Sequence, residues 1–445
     1  MKVLKFGGTS LGSAQRIKQV AEIISRENHC IVVCSAMAGV TDTLQEISSC
    51  WSRGNKQESF KIKADLLGFF EKHSRELFSG QYGFFKFRDQ LIFYFDEMEK
   101  LLRGHWTKQK EMQLLALGEV ITSRLLQAYF LTELTQEIKR LDAFEFLHLN
   151  QGGDPSVSDI AQKLKNNYGK ELSGRLITQG FICLDNSGGA SNLGRGGSDF
   201  TATLLGAAIE ASSIEIWTDI DGLRNNDPRY VDNTKALREI SYAEAAELAY
   251  FGAKILHPAC VWPASRQNIP IFLKNTLNPG SPGTAISGNV RASGIRAISA
   301  KSGISMVRIE SARMLNAYGF LRRVFEIFDQ WETPIDVITT SEVSISLTID
   351  NPYYLEEIAA SLEKFGKVTI EREQAIICVV GDVLACRQEH AGRIMKAMKP
   401  FQVNMLSFGG SRNNLTAVLP AKEKKDALQA LHQQLFLQTQ VPVTA

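Results

Sequence analysis

The sequence predicts an α/β protein. A three-layer αβα domain, with helices on both faces of a parallel sheet, is followed by two small βαββαβ units. Three observations predict it. Short apolar runs alternate with helical patterns through the first part of the chain, as in a covered βαβ sheet. The densest turn cluster, Asn278-Pro279-Gly280-Ser281-Pro282-Gly283, together with 287–293, marks a boundary. Beyond it a strand–helix–strand–strand–helix order recurs twice.

In chain order, residues 3–6 read as a strand, then a Gly/Ser/Thr loop and a helix over about 14–25. Residues 30–35 are the next strand, and about 44–136 are mostly helical. His73 and His105 lie there without the Cys or carboxylate spacing of a metal site. Strands follow at 175–178 and 214–218, with a small-residue helix at 201–211 between them. Ser241-x-x-Glu244 is a capping box opening an Ala-rich helix that stops at Gly252, and 269–273 is a further strand.

Past the boundary the pattern predicts strand 304–309, helix 319–331, strands 335–339 and 344–349, helix 353–364 and strand 367–372. A second unit follows as strand 374–380, helix 384–397, strands 402–407 and 413–419, and helix 421–435. It lacks a final strand. The surplus strand 295–300 would complete it if the units are interleaved rather than serial. The expected domains are 1–290 and 295–445, the second holding units at about 304–372 and 374–445.

The 50 basic and 48 acidic residues leave a net charge of +2, which gives no reason to expect nucleic acid or an anionic membrane as partner. Seven cysteines are scattered with no CxxC, several inside apolar runs such as Ile31-Val32-Val33-Cys34, and read as reduced core thiols. The apolar run at 1–6 is too short for a signal peptide, and no window nears the ~18 uninterrupted apolar residues of a membrane span. A cytoplasmic protein is expected.

Five motifs could carry chemistry. Lys5-Phe6-Gly7-Gly8-Thr9-Ser10 runs from a strand end into a glycine turn, where backbone N–H groups can approach phosphate oxygens beside the Lys5 charge. Leu193-Gly194-Arg195-Gly196-Gly197-Ser198-Asp199 is a second anion cradle before a helix, and Arg195 suits a forked carboxylate clamp. Trp217-Thr218-Asp219-Ile220-Asp221-Gly222 and Asn226-Asp227-Pro228-Arg229 form polar loops after a strand, where open α/β sheets hold nucleotides. Phe251-Gly252-Ala253-Lys254-Ile255-Leu256-His257-Pro258 offers a second lysine. Leu117-Gly118-Glu119 places a carboxylate in an apolar helix, where burial calls for a cationic partner such as an ammonium. There is no Walker GxxxxGK[ST], and no GxGxxG follows the first strand. Phosphoryl transfer needs alignment and positive charge more than covalent chemistry, and these motifs provide both.

The motifs resemble the aspartate kinase family of the amino acid kinase fold. The resemblance adds Ser35-Ala36-Met37-Ala38-Gly39-Val40-Thr41, Ile177-Thr178-Gln179-Gly180-Phe181-Ile182, Met314-Leu315, Gly319-Phe320-Leu321 and the run from Asp336 to Ser344, and covers nearly the whole chain. It implies phosphorylation of the L-aspartate β-carboxylate by ATP, with Mg²⁺ arriving as MgATP. Lys5 would stabilise the transferred phosphoryl group, Lys254 contact the ATP phosphates and Asp199 organise the lysines. Arg195 would hold the aspartate α-carboxylate and Glu119 its α-amino group, with Thr41 and Ser198 also on substrate. Gly7, Gly8, Thr218, Asp219, Arg224 and Arg229 would line the nucleotide site, with Arg224 standing where the family often has Tyr.

The C-terminal pair resembles ferredoxin-like ACT domains of the monofunctional lysine-sensitive class. Met314, Phe320, Leu321, Ile335, Asp336, Ser341 and Glu342 match positions that bind inhibitor lysine there. Ala317 and Pro334 replace residues that are commonly polar near the effector. A homodimer or homotetramer through the ACT units is expected. The alternatives are another small-molecule kinase of the same fold, or an amino-acid-binding regulator without catalysis.

Overall fold

The structure, a computed structural model, describes residues 1–252, 256–290, 294–314, 318–382 and 387–437. The chain packs into two compact units. One contains Met1–Leu223, Arg238–Tyr242 and residues 256–290; the other contains Arg224–Leu237, the segment beginning at Ala243 and the described residues beyond Val290.

The strands of the first unit are β1 (Lys2–Phe6), β2 (Cys30–Cys34), β3 (Lys139–Arg140), β4 (Arg175–Gln179), the hairpin β5 (Ile182–Leu184) and β6 (Ala190–Asn192), β7 (Ser213–Thr218), β8 (Glu239–Ser241), β9 (Ile271–Asn275) and β10 (Thr284–Ser287). Eight of them form one sheet in the order β3-β4-β2-β1-β7-β9-β10-β8. All neighbours pair parallel except β9 with β10. Its helices are α1 (Ala14–Ser25), α2 (Val40–Ser52), α3 (Lys56–Leu77), α4 (Gln81–Leu101), α5 (Lys108–Thr132), α6 (Ala143–Phe146), α7 (Val157–Tyr168) and α8 (Gly197–Ala208). Then come α9 (Tyr242–Tyr250), most of it in the second unit, and α10 (Pro258–Arg266).

Polar caps start these helices. Ser13, Asn55, Thr107 and Ser156 each accept from a backbone N–H three residues on, at the heads of α1, α3, α5 and α7. Phe70, Phe87, Leu91 and Phe130 from α3–α5 join Leu4, Phe6 and Val32 of the sheet in one core. α5 is long and apolar enough to cross a membrane by length and composition, but 72% of that window is buried, as in a core helix. Parallel pairing brings the carboxyl ends of β1, β2, β4, β7 and β9 to one edge, where the functional loops begin.

The second unit has a six-stranded antiparallel sheet, ordered β12-β13-β11-β14-β16-β15. Its strands are β11 (Ile295–Glu310), β12 (Ile338–Thr340), β13 (Ser344–Ile349), β14 (Lys367–Gly381), β15 (Met405–Phe408) and β16 (Asn414–Pro420). Helices α11 (Phe320–Gln330) and α12 (Leu355–Leu362) pack on one half, α13 (Arg387–Met398) and α14 (Lys424–His432) on the other, each over its own apolar cluster.

β11 and β14 run through both halves. Residues 306–310 pair with 367–371, and 297–302 pair with 375–380. Strands 295–300 and 304–309 are therefore one strand, as are 367–372 and 374–380. Each is bent at a residue of positive φ, Gly303 at 77° and Glu373 at 52°, where the register shifts.

Other boundaries differ from the sequence pattern. The helix expected at 201–211 starts at Gly197, because Gly196 at φ 73° supplies a left-handed cap. Strands expected at 335–339 and 402–407 are shorter, Ile338–Thr340 and Met405–Phe408. Helix 421–435 is a 3₁₀ turn, α14 and a π turn in succession.

Candidate active site

The first loop is held in place by the sheet. Gly7 N donates to Trp217 O at 3.2 Å. The buried Ser10 hydroxyl meets Thr276 Oγ1 at 2.7 Å and Trp217 O at 3.3 Å. A Cβ on Gly8 would stand 2.8 Å from Ala36 O, so only glycine lets this turn lie against the loop after β2. Lys5, near the end of β1, directs Nζ to Asp199 Oδ1 at 2.6 Å, with both residues buried. Asp199 sits in the first turn of α8, where the helix dipole also favours its charge.

Glu119 comes from the middle of α5 and is 3% exposed. Its Oε1 accepts from Ala36 N at 3.2 Å, while Oε2 has no hydrogen-bond partner among the described residues. Burial pushes the carboxyl up to about 8, against the pull of the Ala36 amide. One turn on, Thr122 Oγ1 accepts from Met37 N at 3.1 Å and donates to Gly118 O at 2.8 Å. Helix α5 thus fixes the backbone of the Ser35-to-Thr41 motif.

Arg195 and Ser198 lie at the start of α8. Arg195 is exposed and makes no ion pair among the described residues. His257, cap of α10, accepts from Ala259 N through Nδ1 at 3.4 Å. Burial first, and the Arg195 charge second, hold its imidazole below the ordinary histidine value, which keeps it an acceptor. Gly196 packs on it: a Cβ there would lie 2.4 Å from His257 Cβ, at a φ of +73°. Gly196→Ala is expected to destabilise the fold by ~1–3 kcal/mol, seen as a lower melting temperature. An unchanged melting temperature would contradict this packing.

One cleft of about 520 Å³ collects Lys5, Gly8, Thr41, Glu119, Arg195, Ser198 and Asp199. Its charges suit a small zwitterion: Lys5 and Arg195 have the chemistry to pair with carboxylate or phosphate oxygens, and Glu119 with an ammonium. A larger groove of about 860 Å³, beside α4 and α5, is lined by Phe93, Tyr94, Leu117 and Phe144 among others and contains none of the predicted site residues. Size therefore does not select the site; convergent charge does.

The nucleotide-side residues divide. Thr218 ends β7 and Asp219 follows it at the same sheet edge; the Thr218 hydroxyl accepts from Ile220 N at 3.2 Å, and Asp219 is exposed. Arg224 and Arg229 belong to the second unit. Arg224 Nε donates to Thr234 Oγ1 at 2.6 Å. Arg229 forks onto Asp227, Nε to Oδ1 at 3.0 Å and a terminal nitrogen to Oδ2 at 2.6 Å. Burial acts to raise the Asp227 carboxyl, but bonds from Arg229 bring it below its ordinary value. Lys254 lies outside the described residues.

Of the predicted effector residues, Met314, Phe320 and Ile335 pack in the apolar cluster of the first half-sheet, with Phe320 buried. Leu321, Ser341 and Glu342 are exposed. Asp336 is paired with Lys301 at 2.6 Å. Pro334 is exposed, and Ala317 lies outside the described residues. Sequence reasoning did not single out Thr122, and it quoted Phe181 only within a motif, with no role. Thr122 lies three residues after Glu119 on one helix face, a readable signal. Phe181 lines the cleft at φ 69°, which nothing in its residue type announces.

Comparison with known proteins identifies the family. Residues 1–275 match the amino acid kinase family and 377–435 an ACT domain. Aspartokinase 1 of Arabidopsis thaliana, a chloroplastic enzyme, is 32% identical over 98% of this chain and 80% of its own. Lysine-sensitive aspartokinase 3 of Escherichia coli is 31% identical over 98% of this chain and 99% of its own. The crystal structure of E. coli aspartokinase III with aspartate and ADP (R-state) superposes with a TM-score of 0.87 at 29% identity, covering 98% of this chain and 100% of that one. Its complex with lysine and aspartate (T-state) gives 0.81 at 30% identity, covering 98% and 99%. With both regions matched and two relatives aligned over 98% of its length, the chain belongs to the aspartokinase family.

Proposed function

We propose that the cleft between Lys5, Glu119 and Arg195 holds L-aspartate with its side-chain carboxylate turned toward the γ-phosphorus of ATP. As an aspartokinase the protein catalyses ATP-dependent phosphorylation of that carboxylate, giving 4-phospho-L-aspartate and ADP at the head of aspartate-derived amino-acid synthesis. The observation that carries the site reading is the buried Lys5–Asp199 pair at 2.6 Å in one cleft with the unsatisfied Glu119.

The aspartate carboxylate is ionised at neutral pH, so in-line attack needs no general base. Arg195 clamps the α-carboxylate, Glu119 takes the α-ammonium through its unpaired Oε2, and Thr41 and Ser198 complete the contacts. Lys5, aimed by Asp199, neutralises charge that grows on the phosphoryl oxygens. Gly7, Gly8, Thr218 and Asp219 line the nucleotide. The divalent ion is Mg²⁺, entering with ATP. Phosphate and water oxygens would be its main ligands.

The relatives support inhibition by L-lysine, since one is named lysine-sensitive and is solved with lysine bound. Residues 1–290 act as the catalytic domain and 295–445 as the regulatory one, with lysine at Met314, Phe320, Leu321, Ile335, Asp336, Ser341 and Glu342. The enzyme works in the cytoplasm as a homodimer or homotetramer joined through its ACT units. Trapping the acyl phosphate with hydroxylamine tests the substrate. An aspartyl hydroxamate that requires both ATP and aspartate is expected. Hydroxamate formed only with glutamate or an N-acylated acid would refute the assignment.

A further inference from the structure

The regulatory unit holds a half-buried ion cluster in which Lys301 and Asp350, outside the matched effector positions, meet Asp336, which is one of them. Lys301, on β11, places Nζ 2.6 Å from Asp336 Oδ1 and 2.9 Å from Asp350 Oδ2. The same ammonium lies 5.0 Å over the Tyr250 ring, and the Tyr250 hydroxyl donates to Asp336 Oδ1 at 3.0 Å. The Asp336 side chain is only 4% exposed. Its Oδ2 is buried and has no hydrogen-bond partner among the described residues.

Two carboxylates and one ammonium leave the cluster one negative charge in excess. A buried carboxylate oxygen without a donor costs free energy, so the cluster favours one further cationic N–H donor. Burial accordingly raises the Asp336 carboxyl above its ordinary value even with Lys301 beside it. A free amino acid brings such a donor. It meets a carboxylate already held by a lysine of the chain itself.

We propose that Lys301 is a built-in competitor for Asp336 that sets the lysine concentration at which the enzyme responds. This rests on the reading that Asp336 belongs to the effector site. An arriving ammonium shares or takes over Asp336, while Asp350 retains Lys301. Tyr250, which ends α9 and immediately precedes the Phe251-to-Pro258 motif, bonds the same carboxylate oxygen, so a change of donor at Asp336 is transmitted to α9.

Titrating L-lysine into the full-length enzyme by calorimetry, alongside the half-inhibitory concentration, tests this with variants of opposite sign. Lys301→Met removes the competitor and deepens the negative charge, so lysine should bind about tenfold tighter. Asp350→Asn neutralises the cluster and leaves Lys301 to Asp336 alone, so lysine should bind about tenfold weaker. A merely structural role would weaken binding in both. Unchanged or weaker binding in Lys301→Met overturns the proposal. Should that variant fail to fold, unchanged or tighter binding in Asp350→Asn overturns it. Asp336→Asn separates the underlying reading: normal lysine affinity there would remove Asp336 from the effector site, whatever Lys301 does.

Discussion

Lys5→Ala should lower kcat by at least ~100-fold at saturating ATP and aspartate, because it removes charge stabilisation that matters most in the transition state. The geometry explains why Lys5 cannot be replaced by a mobile neighbour. Its Nζ is held at 2.6 Å by Asp199 on a buried strand end, so its position is fixed before substrate arrives. Asp199→Asn should therefore also slow turnover, by loosening Lys5 without removing it. Removing only the lysine leaves a buried carboxylate unpaired, which costs stability. The double variant Lys5→Ala/Asp199→Ala separates the two effects: it should regain melting temperature and stay inactive. Steady-state kinetics beside thermal melts would decide. Near-normal turnover in Lys5→Ala would sink the role given to this lysine.

Glu119→Gln should cut kcat/KM for aspartate by ~10–100-fold, the cost of losing a charge-assisted bond to the α-ammonium, while making the free enzyme more stable at pH 8. Both effects arise from burial. The folded carboxyl titrates near 8 rather than at its ordinary 4.5, so between these values the folded state binds more protons than the unfolded. Stability then falls as pH rises through that window, and the glutamine variant escapes the fall. Its advantage in melting temperature over the wild type should grow from pH 5 to pH 8. Aspartate binding requires the ionised form, so wild-type kcat/KM for aspartate should climb as pH approaches about 8. A flat profile from pH 6 to 8.5, or equal melting temperatures at pH 8, would count against the ammonium assignment.

Much of the fold is readable from local pattern. Helix α1 occupies the residues its periodicity indicates, and β2 and β13 follow their apolar runs. Errors arise where long-range geometry decides. The glycines before α8 look like loop residues, yet Gly196 caps the helix and Gly197 begins it, because His257 and Phe181 leave no room for a Cβ at either. β11 and β14 read as separate strands because each carries a polar bend, at Gly303 and Glu373, that continues the ladder instead of ending it. The site behaves in the same way. Lys5, Glu119, Arg195 and Asp199 announce themselves by type and by neighbouring glycines. The Lys5–Asp199 pairing, the unpaired Oε2 of Glu119 and the support from Thr122 depend on packing between segments far apart in the chain.

The most direct measurement is a coupled ADP-release assay with aspartate and MgATP, with and without millimolar L-lysine. ADP release that depends on aspartate and is suppressed by lysine is the expected result. No release with aspartate, but turnover of another carboxylic acid, would contradict the account.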